Sequence, residues 1–358
     1  MAKSRFPAAL VPVLAVVLSV GTMARAQTLD DLAPPRIDDL DPPRVIDLEP
    51  AEDPLRVPVI SSVTLDPTAK LLATAGDDHL VRIWDVQTEE VIRKLSGHRG
   101  WVRTVVFSPQ GGLLATAGDD RHIRLFEGDG TRPIRSWEIP GVAVYALAFS
   151  PDGGTLAAAG FDDKLRLYDV ESGRLLRTLE APCGDIRAVA FSPDGSQLAA
   201  AGRNGRIRVW RPADGTHIRD LTGHRLRVYA LVYSPDGKRL ASAGDDRVIR
   251  LWDATSGAAQ QPLAVPGCKL RALVFCGATA LAAGGSVNLV HVFDLATGQR
   301  LKNFQGHTGS VAALAWDASG STIVSGSFDT TVRFWRLAQQ TDRVSRRPAP
   351  ATSTEIDR

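Results

Sequence analysis

An all-β fold of seven four-stranded units follows from three features of the 358-residue sequence. First, two independent marks keep one period. The turn dipeptides Asp-Pro, Ser-Pro (four times), Cys-Gly and Asp-Ala begin at residues 66, 108, 150, 192, 234, 276 and 317, at spacings of 42 or 41. An aromatic recurs with the same spacing at Trp84, Phe126, Tyr168, Trp210, Trp252, Phe293 and Trp335. Second, short runs of Val, Leu, Ile and Phe are broken inside each period by turn sequences such as SPQGG, GDDR and EGDGT. That pattern gives four short strands per unit and leaves no room for an amphipathic helix. Third, alanines crowd the second run, as in LAAAG at 156–160 and 198–202, which suits strands packed face to face near a crowded axis. A period of this length means a propeller or a solenoid. Seven four-stranded antiparallel units closed radially make a seven-bladed β-propeller over residues 58–340, with most sheet edges hidden.

The segments outside the repeats read differently. Lys3 and Arg5, the apolar run 6–20 and the ARA tripeptide at 24–26 form the three parts of a secretory signal peptide, residues 1–26. The apolar run is shorter than the roughly 20 residues that span a bilayer, so the mature chain is expected to lack a transmembrane segment and to be periplasmic or extracellular. Residues 27–57 carry nine acids, three arginines and paired prolines, the composition of an acidic, disordered linker. Residues 341–358 read as a disordered tail. Hydrophobic content of 44% and charged content of 23% are those of a folded chain, and a net charge of +2 argues against a nucleic-acid binder. Cys183, Cys268 and Cys276 offer no disulfide framework. The last two flank one expected strand and would stand about 26 Å apart at about 3.3 Å per residue.

The sequence carries Gly-His at 97–98, 223–224 and 306–307, each followed by a strand, an SPxG-like turn and an Asp. Each unit ends in WD or a variant: WD, FE, YD, WR, WD, FD and WR. In these features residues 58–340 resemble the WD-repeat (G-beta-like) seven-bladed propeller family, and with the signal sequence an exported, bacterial-type member. The resemblance implies a buried hydrogen-bond chain from Trp to Ser or Thr, to His, to Asp. The fifth unit supplies His224, Ser242, Asp246 and Trp252, and the seventh His307, Ser325, Asp329 and Trp335. The second has His98, Thr116 and Asp120 but Phe126, and the first has Thr74, Asp78 and Trp84 without the His. The third, fourth and sixth units place Ala158, Ala200 and Ala283 at the hydroxyl position.

A Ser-His-Asp set that recurs in a structural repeat is a poor protease triad. The histidines lack metal-ligand spacing, and no catalytic residue, metal or cofactor is expected. Function is therefore sought on a face. The resemblance implies that partners use the end where the Gly-His loop meets the first strand. The positions there hold Trp101, Arg103, Tyr145, Phe161, Asp185, Arg187, Arg203, Arg227, Tyr229, Lys269, Arg271 and Phe328, with Asp77, Asp119 and Asp245. Aromatics and arginines are the residues of binding hot spots. The expected partner is a protein or peptide, acidic or mixed in charge, and the chain a non-enzymatic scaffold. The other readings are a binder of envelope polysaccharide stacking sugars on Trp101, Tyr145 and Tyr229, and a propeller enzyme using the central funnel. The acidic linker is itself a candidate ligand for the basic face. Closure of the last blade is open: a strand near 44–48, one within 49–56, or the chain after Trp335 would each serve.

Overall fold

A computed structural model describes residues 43–48, 57–128 and 130–337. The expected signal sequence, most of the acidic segment and the C-terminal tail lie outside the described residues. The chain divides into two units, 1–42 and 43–358, and every described residue belongs to the second.

Twenty-eight strands among the described residues form seven four-stranded antiparallel sheets. In each of the first six blades the strands follow chain order from the axis outward, as in Val102–Phe107, Leu113–Gly118, His122–Glu127 and Pro133–Glu138 of blade 2. Side chains that alternate along a strand face both neighbouring sheets, so the buried residues gather between blades. Ala73, Ala75, Val81 and Ile83 of blade 1 pack on Val102, Val105, Leu114 and Phe126 of blade 2, and equivalent clusters fill the later interfaces. The alanine-rich second strands are buried throughout, Ala157–Ala159 and Ala199–Ala201 among them. Cys183, Cys268 and Cys276 are free and buried.

Closure comes from the N-terminal side. Blade 7 consists of Val311–Asp317, Thr322–Ser327, Thr331–Arg336 and, outermost, Arg44–Asp47. Arg44 pairs with Phe334 and Asp47 with Thr331. Ile46 and Leu48 are buried with Ile60, Leu72, Trp84, Val332 and Phe334 at the interface between blades 7 and 1. Arg44 lies over the Phe334 ring and pairs with Glu89 of blade 1 at 2.5 Å. Within the segment expected to be a disordered linker, Arg44–Asp47 form this strand, one of the closing strands the sequence leaves open; residues 27–42 and 49–56 lie outside the described residues. The Pro-rich, acidic composition hid a short alternation, Val45-Ile46-Asp47-Leu48, in which Ile46 and Leu48 turn inward.

The buried polar chains hold the turns beside this core. In blade 5 Trp252 donates to Ser242 Oγ at 2.9 Å, His224 Nε2 meets the same oxygen at 2.7 Å, and His224 Nδ1 meets Asp246 at 2.8 Å. Blade 7 repeats this at 2.7, 2.7 and 2.8 Å with Trp335, Ser325, His307 and Asp329. In blade 2 His98 joins Thr116 and Asp120, and Phe126 leaves the indole link out. A second series went unread in the sequence. Arg82, Arg124, Arg166, Arg208, Arg250 and Arg333 recur on the third strands, with His291 in blade 6. In blade 1, which has no Gly-His, Arg82 takes Asp78 at 2.7 Å. Arg166 takes Asp162 at 2.6 Å in blade 3. In blade 4 Asn204 replaces the Asp and donates to the Pro182 carbonyl, and Arg208 turns to Asp220 on the outer strand at 2.7 Å. Blade 6 pairs His291 with Asn303 at 2.7 Å.

These networks set a pH dependence. Burial pushes the His98 and His307 imidazoles below their ordinary 6.5, outweighing the carboxylates that would raise them. Burial alone would lift the Asp329 carboxyl, but the Thr308 N–H, the Thr331 hydroxyl and His307 together hold it down at about 2. All three values are depressed by folding. Each group therefore contributes stability that is complete above its unfolded value and lost as pH falls through its folded one. For the histidines the loss begins below about 6.5, and for Asp329 it runs from about 3.8 to about 2.

Two outcomes are expected. Ile46→Ala should lower unfolding stability by about 2–4 kcal/mol in urea, whereas Ile92→Ala, at an exposed outer-strand position, should change it by less than about 0.5 kcal/mol. The wild-type urea midpoint should fall between pH 7 and pH 5, and less steeply in His307→Gln; equal slopes would show that His307 does not carry the effect.

Candidate binding face

The local backbone explains how side chains reach this face. In every blade the pairing of the inner strand with the second strand slips after its first residue. The slips lie between Ile60 and Ser62, Val102 and Thr104, Val144 and Ala146, Ile186 and Ala188, Val228 and Ala230, Leu270 and Ala272, and Val311 and Ala313. A β-bulge leaves the extra residue unpaired and re-aims its side chain. The bulged residues are Ser61, Arg103, Tyr145, Arg187, Tyr229, Arg271 and Ala312, so five of the expected face residues occupy this position. In six blades the bulge goes with a close approach. A Cβ on Gly118 would stand 2.0 Å from the Trp101 carbonyl oxygen, and one on Gly202 would stand 1.8 Å from that of Asp185. That recurring glycine is the sequence signal of the bulge, and its role went unread; blade 7 has Ser327 there.

The bulges bring most of the expected face residues into one belt. Phe328 of blade 7 stands 6.4 Å from Trp101, centroid to centroid. Arg103 stacks 3.8 Å over Trp101, lies 5.1 Å from Tyr145, and is held by both oxygens of Asp119 at 2.9 and 2.6 Å. Tyr145 meets Phe161 edge-on at 4.8 Å. Arg187 lies 3.7 Å over Tyr145 and 4.5 Å over Phe161. Its Nε donates to Asp185 at 2.6 Å. Arg227 reaches the same carboxylate at 3.2 Å and donates to the Tyr229 hydroxyl at 3.1 Å. Arg271 stacks 3.9 Å over Tyr229 and approaches Asp245 at 4.0 Å. Arg203 stands 3.6 Å from Asp185. Lys269 is exposed beside the belt, and its side chain makes no ion pair or ring contact among the described residues.

The contacts hold the belt's rings and guanidiniums in place. Each cation–π contact contributes about 0.5–2 kcal/mol and holds a guanidinium over its ring. Phe161 and Phe328 remain nearly half exposed. The Trp101 Nε1 and Arg227 Nε donors are buried without an acceptor among the described residues, a state that costs about 1–3 kcal/mol per group. The Ser-His-Asp sets, by contrast, are closed to substrate: Ser242 and Ser325 are fully buried and already bonded to both His and Trp. No group of three or more His, Cys, Asp or Glu that could hold a metal occurs among the described residues.

Fold and face together define a seven-bladed propeller that presents a connected series of arginines and aromatics at one end. The repeat pattern described as "WD domain, G-beta repeat" matches residues 56–85, 89–127, 132–169, 173–211, 215–253 and 298–336, and the chain belongs to that family. The sixth blade is the one left unmatched, and it is the blade that carries Ala283 and Val287 at network positions. Similar stretches occur in a periodic tryptophan protein 2 homolog of Neurospora crassa, 40% identical over 63 residues, 17% of this chain and 7% of that protein. They occur also in the serine-threonine kinase receptor-associated protein of Dictyostelium discoideum, 41% identical over 54 residues, 15% of this chain and 18% of that protein. A third is the mouse WD repeat and HMG-box DNA-binding protein 1, 39% identical over 74 residues, 20% of this chain and 7% of that protein. The chain thus spans less than a fifth of each of these relatives. No helix among the described residues is long and apolar enough to cross a membrane.

Gly202→Ala should destabilise the chain by about 1–3 kcal/mol, because the new methyl meets backbone, which cannot swing aside. A thermal or urea midpoint equal to wild type would show that the bulge tolerates a Cβ.

Proposed function

We propose that the chain is an exported, non-catalytic scaffold that captures a protein or peptide segment on the belt running from Phe328 through Trp101, Tyr145 and Arg187 to Arg271. The observation that carries the reading is the continuity of that belt. Residues from six blades touch in one series, with half-exposed rings and unpaired buried donors, and this is the composition of a binding hot spot rather than of a solvated rim. Membership of the WD-repeat family supports it. Export rests on the N-terminal sequence alone.

The double variant Phe161→Asp, Phe328→Asp should lose the proteins that crosslink to the wild-type chain in cells, while its thermal midpoint stays within a few degrees. The same crosslinked set from both chains would overturn the reading. Export is tested separately: the mature chain should begin at Gln27 and fractionate outside the cytoplasm, and an intact Met1 form confined to the cytoplasm would overturn it.

A further inference from the structure

The belt is not uniform in charge, and blade 4 departs from its neighbours in backbone. Asp185 occupies the position that Trp101, Ala143, Arg227, Lys269 and Ser310 hold in other blades. Among these it alone takes a positive φ, +138°, a conformation that residues with a side chain rarely adopt and that persists where the surroundings over-determine it. Its carboxylate is almost wholly buried and is surrounded by three guanidiniums. Arg187 Nε lies at 2.6 Å, Arg227 at 3.2 Å and Arg203 at 3.6 Å. Elsewhere on the belt the ion pairs balance: Arg103 has both oxygens of Asp119 to itself. Around Asp185 they do not. Three guanidiniums, those of Arg187, Arg203 and Arg227, converge on the one carboxylate of Asp185.

We propose that Arg187, Arg203 and Arg227, gathered on Asp185, form an oxyanion subsite that takes two neighbouring carboxylates of an acidic peptide. The inference deepens the reading of the belt as a protein-binding face and rests on it. Arg187 is fixed between Tyr145 and Phe161, so its ordering cost is met before a ligand arrives. The Arg227 Nε donor is buried and unpaired. The Arg203 side chain is 62% exposed and is free to close over a second carboxylate. Phe161, about half exposed and 4.5 Å from Arg187, supplies apolar contact to a residue flanking the acidic pair. Asp185 acts as a positioning residue: it converges the three guanidiniums and is itself too few charges to satisfy them.

The test uses the full chain and a fluorescein-labelled, acetylated hexaglutamate peptide, with hexaglutamine as the neutral counterpart, read by anisotropy. Hexaglutamate should bind and hexaglutamine should not. Affinity should fall severalfold when salt rises from about 50 to about 300 mM, as screening requires. Arg203→Glu should weaken binding about tenfold or more, Arg203→Lys by no more than about threefold, and Arg174→Glu, an exposed reversal on a turn at the other end of the strands, should leave it unchanged. All three should keep the wild-type thermal midpoint, since Arg203 reaches Asp185 only at its margin. Equal affinity of wild type and Arg203→Glu, or equal binding of the two peptides, would overturn the subsite. If that happened while Phe161→Asp, Phe328→Asp still abolished partner capture, the subsite would fall and the binding face would stand.

Discussion

In six of the seven blades a carbonyl sits where a Cβ would be, and that approach shapes one end of this propeller. At the start of each inner strand the chain bulges, and the preceding carbonyl closes onto the last residue of the second strand. The N–H groups of Asp119, Phe161, Arg203 and Asp245 bond to those carbonyls at about 3 Å. Glycine makes the approach possible in six blades. The consequence reaches function directly. The bulged residue has no partner in the ladder, so the fold asks nothing of its side chain. Ser61 and Ala312 are small, Arg103, Arg187 and Arg271 are cationic, and Tyr145 and Tyr229 are aromatic, with no change in the sheet beneath. The scaffold separates a position it fixes from a side chain it leaves open.

The same economy governs the buried polar groups. A carboxylate close to the core must be paired, because an orphan one costs several kcal/mol. The blades reach that end by different routes. Blades 5 and 7 use His, hydroxyl and indole; blades 1 and 3 use an arginine from the third strand; blade 2 uses both, with Arg124 and His98 on Asp120. Blade 4 swaps the carboxylate for Asn204, and blade 6 drops it for Val287. No route leaves a carboxylate without a partner among the described residues, which is why the closing dipeptide drifts from WD to FE, YD and WR without loss of the fold.

What could be read in the sequence was what repeats within one unit. The period, the four strands per blade, and the sets around His224 and His307 all depend on residues less than 42 apart, and each occurs more than once. The closing strand was obscured because it occurs once, inside a segment whose prolines and acids dominate any average; only the alternation of Ile46 and Leu48 marks it. The glycines at 76, 118, 160, 202 and 244 and the arginines at 82, 124, 166, 208 and 250 were in plain view at the same spacing, but their roles are set by an approach distance and a partner. The face residues could be enumerated from their positions. Their coupling could not, since Arg103 meeting Tyr145, or Arg227 meeting Asp185, is a contact between neighbouring blades.

That coupling decides what the face can select. Guanidiniums stacked on Trp101, Tyr145 and Tyr229 present their edges, and the edges of Arg103 are already taken by Asp119. A single carboxylate arriving there must displace an internal one of equal charge and gains little. Around Asp185 the internal anion is outnumbered, so an incoming pair of charges adds to the network without displacing it. On the proposed reading, selectivity along this belt follows the ratio of arginine to aspartate, and that ratio is highest around Asp185, the residue with the positive φ.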